Sequence, residues 1–202
     1  MIYKASTTLV LMMMLQAIAC SQLQSGWQLD VQKSKVLWNT GKMMGGHSGY
    51  FFFHSGNLQY SATGEPVSGT FRMDMNSIRS TDNPNEAGRL KTNANLRKIE
   101  FFATDQHPIA TMVVNKITRI GSSLDFTVAG DLAIKGITNP IEFTATINTK
   151  NNTSHITANV DISHQLWKIN SKPQANSIDF LSGIKEKLVP DIHVSLDLIM
   201  NK

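Results

Sequence analysis

Cysteine is all but missing from this 202-residue chain, which has only Cys20. One thiol cannot close an intramolecular disulfide, so the fold has to be held by packing. Charge is sparse too, at 17% of residues, with 19 Lys+Arg against 15 Asp+Glu, a formal charge of +4 and a pI of about 9.2. The cations are scattered rather than clustered, which argues against a nucleic-acid face. No Gly-x-Ser-x-Gly elbow, phosphate-binding glycine loop or His-Glu-x-x-His occurs. No two of His47, His54, His107, His155, His164 and His193 are two to four residues apart, so no metal site is legible. There is no internal repeat and no second domain. What is present is a 41% hydrophobic composition, enough for one domain with a sizeable core.

Met1–Cys20 differs from everything after it. Lys4 makes a short basic start, Leu9–Leu15 is an unbroken apolar run, and Ala17-Ile18-Ala19-Cys20 closes the segment. The run is too short to cross a membrane, and the pattern is that of a secretory signal. Small residues ahead of the sole cysteine resemble a bacterial lipoprotein signal. That resemblance implies a signal peptide over residues 1–19, cleavage before Cys20 and a diacylglycerol on the Cys20 sulfur. Ser21 after the cysteine hints at sorting to the outer membrane. Residues 20–26 are then a lipidated tether and residues 27–202 the folded domain.

The rest mostly alternates apolar and polar residues, as half-buried strands do. Trp27–Val31 and Lys35–Thr40 read as short strands, and Gly45-Gly46 as a turn or bulge. Gly49–Tyr60 is a long strand, aromatic on both faces at Tyr50-Phe51-Phe52-Phe53, where periodicity does not say which face is inside. Val67–Met75, Ala110–Ile117, Leu124–Ile134, Ile141–Ile147, Ile156–Ile162 and His193–Met200 follow, each with an apolar row. Leu124, Phe126, Val128, Leu132 and Ile134 form one such row. Most connections, such as Gly121-Ser122, Lys135–Asn139 and Thr149–Thr153, are long enough only for antiparallel neighbours. Ser163–Pro190 is longer and irregular. About eight strands of this kind remove their edges most simply by closing into a barrel.

Glu86–Phe102 breaks the pattern. It is rich in helix formers, lacks proline, and sets Leu90, Ala94, Leu96, Ile99 and Phe102 at roughly helical spacing. It predicts a helical insert covering the barrel, with Arg97, Lys98 and Glu100 toward solvent and Phe101-Phe102 turned inward. Trp38, Phe51, Phe53, Phe71, Met73, Met112, Phe126, Phe143 and Leu196 either fill a core or line a cavity. Two features favour the cavity. The chain is long for a solid eight-stranded barrel, and the helical insert and the Ser163–Pro190 loop can cover an open end. An apolar cavity suits a lipid-like ligand, bound mainly through buried area at roughly 25 cal/mol per Å² before association costs. Asp74, Asp131 and Asp161 lie opposite the apolar rows and read as solvated or turn-pairing carboxylates.

The order of motifs then resembles a known family. Trp27-Gln-Leu-Asp30, Ser34-Lys-Val-Leu-Trp38, Lys42 and His47-Ser-Gly49 are similar to the opening of YceI-like domains. So are Met73-Asp-Met-Asn-Ser-Ile78, Asn95-Leu96, Phe101-Phe102, His107-Pro108 and Gly130-Asp-Leu-Ala-Ile-Lys-Gly-Ile-Thr138. Phe180-Leu-Ser-Gly183 and Asp191-Ile192 fit forms of the family with such a tail, and the agreement runs in order from about Trp27 to Met200. The resemblance implies an all-β fold: an extended eight-stranded antiparallel β-barrel of lipocalin-like shape, with a short helical insert. It also implies export from bacteria and binding of polyisoprenoid chains, including quinone-type lipids, in an apolar tunnel without catalysis. Ile162-Ser-His-Gln-Leu-Trp167 departs from the family, which often has arginine at His164 and glycine or asparagine at Lys168.

The expectation is therefore a non-enzymatic lipoprotein of the bacterial periplasm, anchored in the outer membrane, that sequesters or carries an isoprenoid or similar lipid. The ligand-binding residues expected are Trp38, Phe51, Phe53, Phe71, Met73, Phe101, Phe102, Met112, Phe126, Phe143, Trp167 and Leu196, with Cys20 as the lipidation site. No cofactor or metal is required. The partners are the lipid ligand and the membrane through the N-terminal anchor, not nucleic acid, and a homodimer is compatible with the chain. One rival is a structural or partner-binding lipoprotein with a filled core. Another is an enzyme, which needs titratable groups such as His47, His107 or His164 to converge inside the cavity.

Overall fold

The computed structural model describes residues 25–40, 46–169 and 192–202. The expected signal, Cys20 and most of the tether lie outside the described residues, as do Lys42, Gly45, Phe180–Gly183 and most of Ser163–Pro190. Within them the chain forms β1 (Ser25–Leu29), β2 (Lys35–Thr40), β3 (Ser48–Tyr60), β4 (Pro66–Ser80), helix α1 (Glu86–Leu96), β5 (Ile109–Arg119), β6 (Asp125–Ile134), β7 (Ile137–Lys150), β8 (Thr153–Ile162) and β9 (Ile192–Asn201).

Every pairing is antiparallel, and the ring β2-β9-β8-β7-β6-β5-β4-β3 closes where β3 returns to β2. β1 occupies the same place between β3 and β9, nearer the other end, pairing Trp27 with Leu58 and Leu29 with Met200. β1 and β2 are thus two pieces of one strand position, which makes the expected eight-stranded barrel. Between them the Asp30 carboxylate accepts from the Gln32 and Lys33 amides, and Ser34 Oγ accepts from Ile199 N at 2.9 Å. These bonds satisfy backbone groups where the ladder is interrupted.

Strict alternation fails where the ladder shifts register, and three of the four shifts concern the following residues. β3 buries Phe51 and Phe53, then Gly56, Leu58 and Tyr60, because an extra residue at His54 flips the side-chain phase. β5 buries Ala110, Met112 and Val114, and a shift between Val114 and Lys116 then turns Ile117 toward the interior. β4 leaves the ladder between Asp74 and Arg79, where Phe52 N donates to Ser77 Oγ at 2.8 Å instead. The ambiguous aromatic run is thereby settled. Phe51 and Phe53 point in, while Phe52 is 40% exposed and packs its ring 5.2 Å from that of Tyr50.

The helical insert is shorter than its apolar spacing predicts. α1 is capped by Asn85, whose side chain accepts from Ala87 N at 2.9 Å, and it stops at Leu96. Ile99 and Phe102 lie beyond it, in turns where Phe102 N returns to Leu96 O and Ala103 N to Lys98 O. Leu90 and Ile99 are exposed, so the expected apolar face does not exist. Polar bonds hold the helix instead: Asn93 Oδ1 accepts from Ser80 N at 2.7 Å and Arg97 Nη2 donates to Asn76 O at 2.8 Å, with Leu96 buried between. Arg97 is accordingly half-buried rather than turned to solvent.

Other boundaries move as well, and two of them change which residues face inward or form a turn. Leu124 precedes β6 and is exposed rather than part of its inner row. The β6–β7 connection needs only Lys135-Gly136, with φ of 54° and 72° and Ile134 facing Ile137, so the turn is tighter than Lys135–Asn139.

Candidate functional site

The base of the barrel is packed solid. Trp27 stacks on Tyr60 with ring centroids 4.7 Å apart, and Tyr60 Oη donates to Ser154 Oγ at 3.0 Å. Met200 is fully buried there. Arg119 lies 4.3 Å over the Phe126 ring and pairs with Glu65 at 2.9 Å.

Above this plug the interior is hollow. The cavity measures about 160 Å³. Its walls carry Trp38 from β2, Phe51 and Phe53 from β3, Phe71 and Met73 from β4, Met112 from β5, Phe143 from β7 and Leu196 from β9. Phe101 and Phe102 come in from the turns after α1. Phe126 and Trp167 are not among the lining residues. Phe126 belongs to the base, and Trp167 is 1% exposed with Nε1 bonded to Leu132 O at 3.0 Å. Trp167 thus pins the segment after β8 across the end of β6, together with the bonds from Asn139 Nδ2 to Leu166 O and from Lys135 Nζ to Lys168 O.

Sequence reasoning passed over the aliphatic half of the wall, which includes Val36, Met75, Val128, Ile134 and Val194. Their signal was the same period-2 alternation that marks the strands. More telling are Ala145 and Ala158, which face each other across β7 and β8 and line the cavity. Two small residues opposite one another leave room where larger ones would fill it. β7 and β8 pair only over Ala145–Lys150 and Thr153–Ala158. Pro140, which has no N–H to give, stands in the stretch of β7 that pairs with β6 alone.

Apart from the Trp38 indole, the polar side chains on the described wall are Thr40 and His47, at the mouth. His47 N donates to Thr40 Oγ1 at 3.1 Å, and His47 Nδ1 meets Asp82 Oδ2 at 2.8 Å. Asp82 also accepts from Ser80 Oγ and Ser48 N. Burial opposes ionisation of Asp82, but the Ser80 hydroxyl, His47 and the backbone N–H groups of Asp82 and Ser48 outweigh it and hold its pKa at about 2. The network ties the end of β2 to the start of β3 and the end of β4, so the rim is braced.

Among the described residues no group of three or more His, Cys, Asp or Glu side chains could hold a metal. His107 lies against Gly136 and His164 is buried outside the lining, so His47 is the only one of these three histidines on the wall. Asp74, Asp131 and Asp161 bond to Asn76, Asn115 and His193, away from the cavity.

A closed antiparallel barrel with a plugged base and an apolar hollow belongs to the class of barrels built around an interior cavity. A family model described as the YceI-like domain matches residues 27–198, and the chain belongs to that family. No curated protein sequence matches it. Among solved structures it is similar to BcnA of Burkholderia cenocepacia, at 18% identity and a TM-score of 0.66, over 85% of this chain and 98% of that one. A polyisoprenoid binding domain from Saccharophagus degradans, implicated in plant cell wall breakdown, aligns at 12% identity and a TM-score of 0.58, over 87% and 97%. The YceI protein of Campylobacter jejuni aligns at 16% and 0.54, over 72% and 78%. At these identities the likeness is one of fold.

Proposed function

We propose that this chain is a non-enzymatic lipid-binding protein that sequesters or carries an isoprenoid or similar amphiphilic lipid inside the barrel. The observation that carries this reading is the hollow above the Trp27–Tyr60 plug, walled by aromatic and aliphatic side chains with polar groups gathered at one end. A long apolar tail gains buried area along such a wall and needs few directed bonds. Thr40 and His47 at the mouth are placed to meet a quinone-type or other polar headgroup while the tail lies below. The polyisoprenoid-binding domain among the structural relatives supports the choice of an isoprenoid over other lipids. Cys20 and the segment before it support a lipid-anchored protein of the bacterial periplasm, held at the outer membrane.

Native mass spectrometry and lipid extraction of the protein purified from its own host test the proposal. A copurifying isoprenoid lipid, or uptake of a polyprenyl quinone by delipidated protein, is the expected result. No copurifying lipid and no uptake would leave the barrel as a structural or partner-binding element.

A further inference from the structure

A second concavity lies on the outside of the barrel mouth, and its chemistry is opposite to that of the hollow. One face of α1, carrying Glu86, Arg89, Leu90, Asn93, Ala94 and Arg97, runs beside Tyr50 of β3 and the Arg79–Thr81 end of β4. The groove between them is about 700 Å³. It shares no lining residue with that cavity.

Three of the chain's five arginines meet here, and none has a carboxylate within ion-pair distance among the described residues. Each is held by backbone carbonyls instead. Arg79 Nη1 donates to Ile78 O at 2.8 Å, Arg89 Nη1 to Asn83 O at 2.8 Å and Pro84 O at 3.0 Å, and Arg97 Nη2 to Asn76 O at 2.8 Å. These bonds orient the guanidiniums without neutralising them and leave each with unused donors. Arg97 Nε is buried with no hydrogen-bond partner among the described residues, a state that costs free energy. Glu86 is the one carboxylate on the wall, so two positive charges remain uncompensated.

We propose that this groove binds a phosphoryl group. A phosphate monoester carries roughly −1.5 to −2 at neutral pH and three acceptor oxygens, which suits two uncompensated charges and several convergent donors better than a single carboxylate does. Tyr50 and the exposed Leu90 give the groove an apolar border against which the organic part of a phosphate ester can lie. The phosphate can be free in solution or part of an anionic phospholipid headgroup. In the second case the groove would set the mouth of the barrel against a membrane surface.

The test uses the full chain carrying Cys20→Ser, so that no attached lipid contributes to membrane binding. Inorganic pyrophosphate is titrated calorimetrically, and flotation is measured with phosphatidylglycerol and with phosphatidylcholine vesicles. Arg79→Gln combined with Arg89→Gln is compared with Lys150→Gln, which removes a charge at the opposite end of the barrel. Arg79→Gln alone serves if the double variant does not fold. Pyrophosphate binding that falls about tenfold or more in the arginine variant and less than about twofold in Lys150→Gln supports the groove as a site for free phosphate. Flotation with phosphatidylglycerol only, lost in the arginine variant, assigns the phosphate to a lipid headgroup. No binding in either arm, or equal binding by the arginine and lysine variants, overturns the proposal. Because the two sites have separate walls, that result leaves the lipid-binding reading of the interior untouched.

Discussion

Phe51 and Phe102 meet edge to face, with ring centroids 5.7 Å apart and planes at 89°. One belongs to the inner face of β3 and the other to the turns that follow α1, 51 positions later in the chain. Their contact is how the insert reaches the cavity: Leu96 at the end of the helix and the turns after it supply the wall. Aromatic pairs in this geometry add about 0.5–1.5 kcal/mol beyond their buried area.

Phe102→Asp should therefore weaken uptake of a fluorescent polyprenyl probe by about tenfold or more, since a carboxylate in an apolar wall goes unpaired. Phe52→Asp, on the outer face against Tyr50, should leave uptake nearly unchanged. Equal losses, with both proteins folded by circular dichroism, would remove Phe102 from the binding wall.

Ala158→Leu separates a binding cavity from a filled core. If the space between Ala145 and Ala158 holds ligand, the added side chain blocks uptake while the melting temperature stays level or rises. If the interior is closely packed, the same change overfills it at a cost of about 1–3 kcal/mol, and the melting temperature drops. Thermal melts and probe uptake on one sample decide the matter.

Asp82 predicts an acid limit for the rim. Its folded pKa of about 2 lies below the ordinary carboxylate value, so its contribution is fully present above about pH 4 and is lost as the pH falls toward 2. Asp82→Asn should be less stable than wild type in urea at pH 7. The gap should narrow between pH 4 and pH 2. A gap that stays constant with pH would mean that charge at Asp82 contributes nothing.

Gly49→Ala should destabilise the fold. A Cβ there would sit 1.8 Å from Arg79 O and 2.7 Å from Trp38 Cζ2, so β3 and β4 must separate beside the mouth. The expected cost is about 1–3 kcal/mol by chemical denaturation. Gly64→Ala, at a turn where the new atom meets nothing but φ is +80°, tests backbone strain in isolation.

Much of this was legible in the residues alone. Alternation in β6, β8 and β9 states which side chains point inward, because successive residues of a strand face opposite ways whatever surrounds them. Short connections impose antiparallel neighbours, and closing such a sheet is the simplest way to remove its edges. The ordered motifs carried the family. Other features lie beyond a local reading. Period 2 says in or out but not how far along the barrel axis. Phe126 and Phe143 both stand in inward rows of neighbouring strands, yet Phe143 lines the cavity while Phe126 packs under Arg119 instead. The register shifts at His54 and between Val114 and Lys116 reverse the phase within a strand, and only the partner strand decides where they fall. α1 ends at Leu96 because the chain turns there to bring Phe101 and Phe102 to the barrel, although helical spacing continues to Phe102. The sequence by itself determined most of the strands and, where alternation is unbroken, their facing, since successive residues of a strand point to opposite sides. Depth, phase reversals and the setting of three arginines outside the mouth were decided by tertiary structure, since each depends on how separate elements pack against one another.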